Sequence, residues 1–163
     1  DFLIQKAVEV GVSHIIPVLT ERTVPSIDEK KERKSERWSR IALEASKQSM
    51  TNRQPIVSDA VEFSKLVSAP SEGVRVIAHT DEACPGFREF FRSTPNRGSA
   101  SLLVGPEGGF SQNEVIEACD NGWVPLHFGF TTLRSETAAI VFSALILYEW
   151  GDYHENHGER PEH

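Results

Sequence analysis

The chain has 163 residues, enough for one domain with a buried core, and its 39% hydrophobic and 25% charged content excludes a disordered segment. No run approaches the roughly 20 apolar residues of a membrane span, and the opening DFLIQK lacks the basic start and small-residue cleavage site of a secretory leader. A formal net charge of −7 excludes a globally basic nucleic-acid surface, so any such affinity must come from a local patch, a second subunit or a further region.

Residues 2–10 place Leu3, Ile4, Ala7, Val8 and Val10 at helical spacing, with Gly11 as a stop. The chain has no initiator Met and opens inside this helix, which predicts a preceding N-terminal region. Residues 14–19 (HIIPVL) form a β-branched run that predicts one strand, with Pro17 marking an edge or an irregular end. A polar loop follows over 20–30. Trp38, Ile41, Ala42 and Ala45 then make one apolar stripe on a helix over 31–49. Residues 51–58 read as extended around Pro55, 61–67 as a short helix and 70–73 as a turn.

Three short apolar strands come next, over 74–79, 99–104 and 124–128, separated by helices over 86–92 and 112–121. The last helix spans 136–150, and its apolar run, 138–148, predicts a buried helix. Strands alternating with helices imply an α/β fold, a mostly parallel sheet flanked by helices on both faces. Residues 1–152 make the domain and 153–163 a polar tail. Cys84 and Cys119 have no metal-type spacing and read as two reduced thiols of a cytoplasmic protein, and no metal site is expected. His154, His157 and His163 belong to the tail, while His14 and His127 read as residues packed in or beside strands.

The chemistry concentrates in two strand–loop–helix junctions. Gly105, Pro106, Glu107, Gly108, Gly109 and Phe110 follow a strand and lead into Ser111, which with Glu114 has the spacing of a capping box. Three glycines and a proline make a tight loop that a ligand can approach at the backbone. The loop leaves the carboxyl end of a strand, where open α/β sheets bind ligands. No Lys-Ser/Thr follows the glycines, and Glu107 disfavours phosphate and favours a cation or a hydroxyl donor. Read alone, the loop is either a plain turn or a ligand cradle. The second junction, residues 128–138 (FGFTTLRSETA), also follows a strand and enters the last helix. Glu136 there suits the helix N-terminus, and Arg134 either pairs with Glu136 or faces the same pocket as the first loop.

VGPEGGFSxxE, followed about twenty residues on by FGxxxLRSETA, resembles the SPOUT (α/β-knot) methyltransferases. More narrowly, it resembles the RsmE type, which methylates N3 of a uridine in small-subunit (16S) ribosomal RNA. QKAVEVGVSHIIPVLTERT and ERWSRIALEASKQS are similar to that family's first segment and following helix, so the likeness runs from Phe2 to Asp152. It implies S-adenosylmethionine as cofactor, a C-terminal trefoil knot, a homodimer, the small ribosomal subunit as partner, and an N-terminal PUA-like RNA-binding domain. Two departures stand out. Thr131 occupies the place where the family usually has the first arginine of the second motif, and Met50, Thr51 and Asn52 intervene before Arg53.

The resemblance assigns the cofactor to the ends of three strands: His79 and Thr80; Gly105, Pro106, Glu107, Gly108 and Gly109; and Phe128, Gly129 and Leu133. Backbone groups are expected to do most of the holding. Methyl transfer to a weakly acidic uridine imide calls for a cation to stabilise the anion, a role that suits Arg134, and a base for the proton, a role that suits Glu136. Arg22 and Arg53, placed in loops by the family match, are the expected RNA contacts. Lys30, Lys31, Arg33, Lys34, Arg37 and Arg40 make the best local basic patch for RNA. Glu29, Glu32 and Glu36 interleave, however, and Lys30 to Lys34 read rather as a solvated helix face laced with ion pairs. The alternatives are a SPOUT enzyme acting elsewhere on RNA, such as a tRNA ribose 2′-hydroxyl, and a non-catalytic RNA-binding or ribosome-assembly module.

Overall fold

The computed structural model describes residues 1–23, 31–50, 54–95, 98–129 and 131–150, with side chains of the second segment described from Lys34 onward. Helix α1 (Phe2–Val10) ends at Gly11 as the spacing predicts. The run expected as one strand is two, β1 (His14–Ile15) and β2 (Val18–Leu19). Pro17 lies in the gap because it has no N–H to give to a ladder, and its carbonyl instead accepts from the Val61 N–H at 2.9 Å. The chain changes partner there: β1 pairs in parallel with β3 (Ile56–Val57), and β2 with β4 (Val61–Glu62).

Helix α2 (Lys31–Gln48) lays Ala42 and Ala45 against Ile4 and Val8 of α1, with Trp38 and Ile41 packed at the margin. The helix expected over 61–67 starts later, as α3 (Phe63–Ser68), because the pairing with β2 holds Val61 and Glu62 extended. That pairing is tertiary, so local sequence could not announce it.

The main sheet consists of β5 (Val74–His79), β6 (Ala100–Leu103) and β7 (Val124–His127), all parallel, in the order β6-β5-β7. Successive residues alternate between faces. Val74, Val76 and Leu126 join Phe87 and Phe91 of α4 (Phe87–Ser93) and Ala138, Phe142 and Ile146 of α6 (Ser135–Glu149) in one core. Ile77 and Leu103 join Phe63 and Val67 of α3, Val115 and Ala118 of α5 (Gln112–Asp120), and Trp123 in another. Trp123 Nε1 donates to the Val67 carbonyl at 3.3 Å, which satisfies its one polar atom inside the core. With helices on both faces, short unbroken apolar strands are what such a sheet requires.

Helix α6 departs from the expected fully buried helix. Only the stripe Ala138, Phe142, Ile146 is buried, and Tyr148 is 56% exposed. Among the described residues no helix is long and apolar enough to cross a membrane.

Candidate active site

The strand order brings together the segments that the sequence reading singles out. The chain leaves β5 to form β6 on one side, then passes back over to form β7 on the other. Such a reversal, outside the carboxyl ends of the strands, is the usual ligand position in open parallel sheets. His79 and Thr80 at the end of β5, the 105–109 loop after β6 and the Phe128–Gly129 turn after β7 therefore lie side by side, although they are far apart in sequence. His79 and His127 are direct register partners across β5 and β7.

The first loop closes as a tight turn, with the Gly109 N–H donating to the Pro106 carbonyl at 2.7 Å. Gly109 has φ 67°, and a Cβ there would meet nothing within 4 Å. Gly105 is different: a Cβ would sit 3.1 Å from Phe110 Cε2 and 3.2 Å from the Gly109 backbone. Gly105 lets the loop fold on itself, whereas Gly109 gives it a left-handed bend open on its outer side. Phe110 anchors the exit by packing on Phe63, ring centroids 5.6 Å apart. Glu107 and Gly108 are exposed.

Ser111 and Glu114 form the expected capping box. Ser111 Oγ accepts from the Glu114 N–H at 3.2 Å, and Glu114 Oε2 accepts from the Ser111 N–H at 2.8 Å. The other carboxylate oxygen does something the local motif does not reveal. Glu114 Oε1 accepts from the N–H of Glu21 at 2.9 Å, across 93 positions of sequence. The turn that carries Glu21 is closed by Thr20 and Thr23, whose hydroxyls are 2.7 Å apart, with the Thr23 N–H donating to the Thr20 carbonyl at 3.0 Å. Next to it, Arg22 donates from Nη1 to the Gly108 carbonyl, and its Cδ lies 3.3 Å from where a Cβ on Gly108 would be.

In the β7 loop the Phe128 ring points into the core, 4.7 Å from Phe142 and 6.1 Å from Phe87 between centroids. Leu133 packs against the same cluster. Both residues can therefore line a site mainly through the main chain. Gly129, with φ 108°, donates its N–H to His127 Nδ1 at 3.2 Å, and a Cβ on it would meet nothing within 4 Å. On β5, His79 Nδ1 accepts from the Asp81 N–H at 3.1 Å, with Cys84 Sγ 3.7 Å away. Burial pushes the Cys84 thiol above its ordinary value, with the Asp81 charge and then Cys119 adding to the effect. Thr80 is exposed.

Arg134 is the N-cap residue of α6, with its side chain exposed and its carbonyl accepting from the Ala138 N–H at 2.8 Å. Glu136 is in the first turn and half-buried. Their side chains are not paired with each other or with other described residues, so the plain ion-pair reading of the two does not hold. Arg53 and Phe130 lie outside the described residues, as do Lys30 and the tail histidines. Of the expected ion-paired helix face, Arg37 is seen paired with Asp1. His14 is exposed rather than packed and contacts Ser58 Oγ at 2.7 Å. Among the described residues no group of three or more His, Cys, Asp or Glu is placed to hold a metal.

A cleft of about 970 Å³ runs beside this site between α4, the end of β7 and the carboxyl half of α6, lined in part by Phe87, Arg92, His127 and Tyr148. It includes Phe128 and Gly129 of the β7 turn but does not touch the 105–109 loop. The bond from Glu114 to Glu21 is what sequence reasoning missed. The capping box was legible, but its second, long-range partner had no local signal.

A family described as the RNA methyltransferase domain matches residues 1–147. The chain belongs to that family. It is 33% identical over 155 residues to the ribosomal RNA small subunit methyltransferase E of Bacillus subtilis, covering 91% of this chain and 60% of that protein. The protein of the same name from Aquifex aeolicus is 30% identical, with 90% of this chain and 62% of that protein covered. The crystal structure of ribosomal RNA small subunit methyltransferase E from Neisseria gonorrhoeae, bound to S-adenosyl methionine, superposes with a TM-score of 0.81 at 30% identity. That superposition covers 91% of this chain and 60% of the other. The chain thus spans about 60% of the length of the relatives it matches, and the parallel sheet flanked by helices is the fold of this methyltransferase group.

Proposed function

We propose that this domain methylates N3 of a uridine in small-subunit (16S) ribosomal RNA, with S-adenosylmethionine as the methyl donor. The observation that carries the reading is the convergence of the three loops at one sheet edge, beside an arginine with no partner among the described residues, in a chain of the RNA methyltransferase family. The relatives named above supply the RNA class.

The crevice fits the cofactor. Gly109 and Gly129 have open space where a side chain would be, so the backbone can approach a flat, polar ligand closely. His79, Thr80, Gly105, Pro106, Glu107, Gly108, Gly109, Phe128, Gly129 and Leu133 would hold it, mainly through main-chain groups, with the Glu107 carboxylate available to ribose hydroxyls or to positive charge. When bound, S-adenosylmethionine supplies a methyl carbon already activated by its sulfonium. What remains for the protein is alignment and activation of the acceptor nitrogen. Arg134 places positive charge where the uridine imide becomes an anion. Glu136 takes the N3 proton. Arg22 and Arg53 contact the RNA backbone.

The same reading includes several wider features: a trefoil knot at the carboxyl side, a homodimer, a PUA-like RNA-binding domain preceding residues 1–152, a polar tail over 153–163, and a cytoplasmic enzyme acting on the small ribosomal subunit. The test is direct. Small-subunit RNA from a strain lacking the gene is incubated with the intact protein and radiolabelled S-adenosylmethionine, and the labelled nucleoside is identified by mass spectrometry. Label in 3-methyluridine supports the proposal. Label in a ribose 2′-O-methyl group, or binding of RNA with no transfer, overturns it in favour of another SPOUT activity or a non-catalytic module.

A further inference from the structure

Glu114 is only 3% exposed, and both of its carboxylate oxygens are used by main-chain N–H groups. One belongs to Ser111, the residue after the glycine loop and its Phe110. The other belongs to Glu21, in the turn that carries Arg22. A buried carboxylate bridging two main-chain segments is a rigid tie, because loss of either bond leaves an uncompensated polar group inside the protein. It sits in the first turn of α5, so the tie is anchored on a helix. On the outer side of the same assembly, Arg22 closes the ring by donating to the Gly108 carbonyl. Four points are therefore linked in a closed circuit: Gly108, Ser111, Glu114 and the turn at Glu21 and Arg22. A capping residue alone would need only the Ser111 half of this circuit. The Thr20–Thr23 bonds stiffen the turn from within, so fixing Glu21 also fixes where Arg22 starts.

We propose that Glu114 is a positioning residue that holds the Arg22 turn against the glycine loop, so that an RNA-contacting arginine is delivered to the mouth of the cofactor crevice. The proposal rests on the methyltransferase reading above. Arg22 uses one guanidinium N–H on Gly108 and is otherwise exposed, which leaves donors for a phosphate of the RNA strand beside the target base. The tie aligns substrate and cofactor in one piece.

The test is a double-mutant cycle in the intact protein, reading KM for small-subunit RNA, kcat and the cofactor Kd for Arg22→Ala, Glu114→Gln and the double variant. Arg22→Ala is expected to raise KM for RNA about tenfold while leaving kcat within about twofold. Glu114→Gln should raise the same KM by a similar factor, because Gln presents an NH2 group to one of the two N–H donors. The double variant should be no worse than the larger single effect, the signature of two residues acting through one contact. Multiplying effects would overturn the proposal, as would a Glu114→Gln variant that loses stability and kcat but keeps KM. Tryptic cleavage after Arg22 gives a readout without catalysis. Glu114→Gln should speed it relative to cleavage after Arg92, and an unchanged ratio counts against the tie. If the wild-type protein transfers no methyl group to RNA, the functional reading fails, whereas unchanged tryptic cleavage in an active enzyme removes only this inference.

Discussion

His79 and His127 stand opposite each other in the register of β5 and β7, and each turns Nδ1 back to accept a main-chain N–H two residues further on, from Asp81 and from Gly129 respectively. The two rings thus shape the turns in which two of the three loops proposed to hold the cofactor begin. The arrangement requires side chains with an acceptor at that distance from the backbone, and both asparagine and histidine provide one.

From this follows an expected contrast at His127. Leucine there leaves the half-buried Gly129 N–H without its acceptor, a loss of about 0.5–1.5 kcal/mol, and S-adenosylmethionine affinity should fall up to about tenfold. Asparagine keeps an acceptor for the i+2 N–H and should stay within about twofold of wild type. Calorimetric titration of the cofactor decides it. Equal affinities for the leucine variant and wild type would remove the ring from any role in shaping the loop.

The two glycines of the first loop should respond differently. Gly105→Ala places a Cβ within 3.2 Å of the Gly109 backbone, which must give by a few tenths of an ångström, so the loop is displaced and cofactor affinity should fall. Gly109→Ala meets no atom and pays only for a left-handed backbone, about 1 kcal/mol. Gly109→Asn, which tolerates that conformation, should cost less still. Cofactor affinity of the three variants, with melting temperature as the control for folding, gives the ranking. An alanine at 105 that binds as well as wild type would show that the loop does not pack on itself in solution.

Arg134 is exposed at the entry of α6 and has no partner among the described residues. Replacing it with alanine should cost little stability. If it stabilises the imide anion, kcat on small-subunit RNA should fall about 100-fold. The cofactor Kd should change by less than about twofold, because the charge acts on the acceptor. Lysine should restore part of the rate, since a point charge replaces some of the electrostatic effect without the planar fork. An alanine variant with unchanged kcat would refute the assignment.

Cys84 provides a pH test. Burial, then the Asp81 charge, favours the thiol over the thiolate in the folded protein. The folded value is raised, so this contribution to stability is complete below the ordinary thiol value of 9.0 and declines as pH rises beyond it. The difference in melting temperature between wild type and Cys84→Ser should therefore be constant through neutral pH and shift against wild type above about pH 9. A difference that does not vary with pH would mean that the thiol is solvated in the folded state.

Much of this protein is legible from local pattern. The helix over Phe2–Val10, the strand Val74–His79 and the Ser111–Glu114 capping box depend on spacing and on neighbours within four residues, and the structure has them where the spacing puts them. Both candidate loops could be read as well, because glycine-rich junctions between strand and helix are local chemistry. Pairing was the tertiary structure's decision. HIIPVL reads as one strand until Pro17 meets the Val61 N–H and the two halves take different partners. Phe128 reads as a site residue, and the fold also packs its ring on Phe142, a contact no local pattern announces. The order β6-β5-β7 brings three distant loops to one edge, and one buried oxygen of Glu114 attaches a turn 93 positions away to the second of them. Periodicity records which face a residue presents. Which segment meets that face is settled by burial and hydrogen-bond satisfaction over the whole chain.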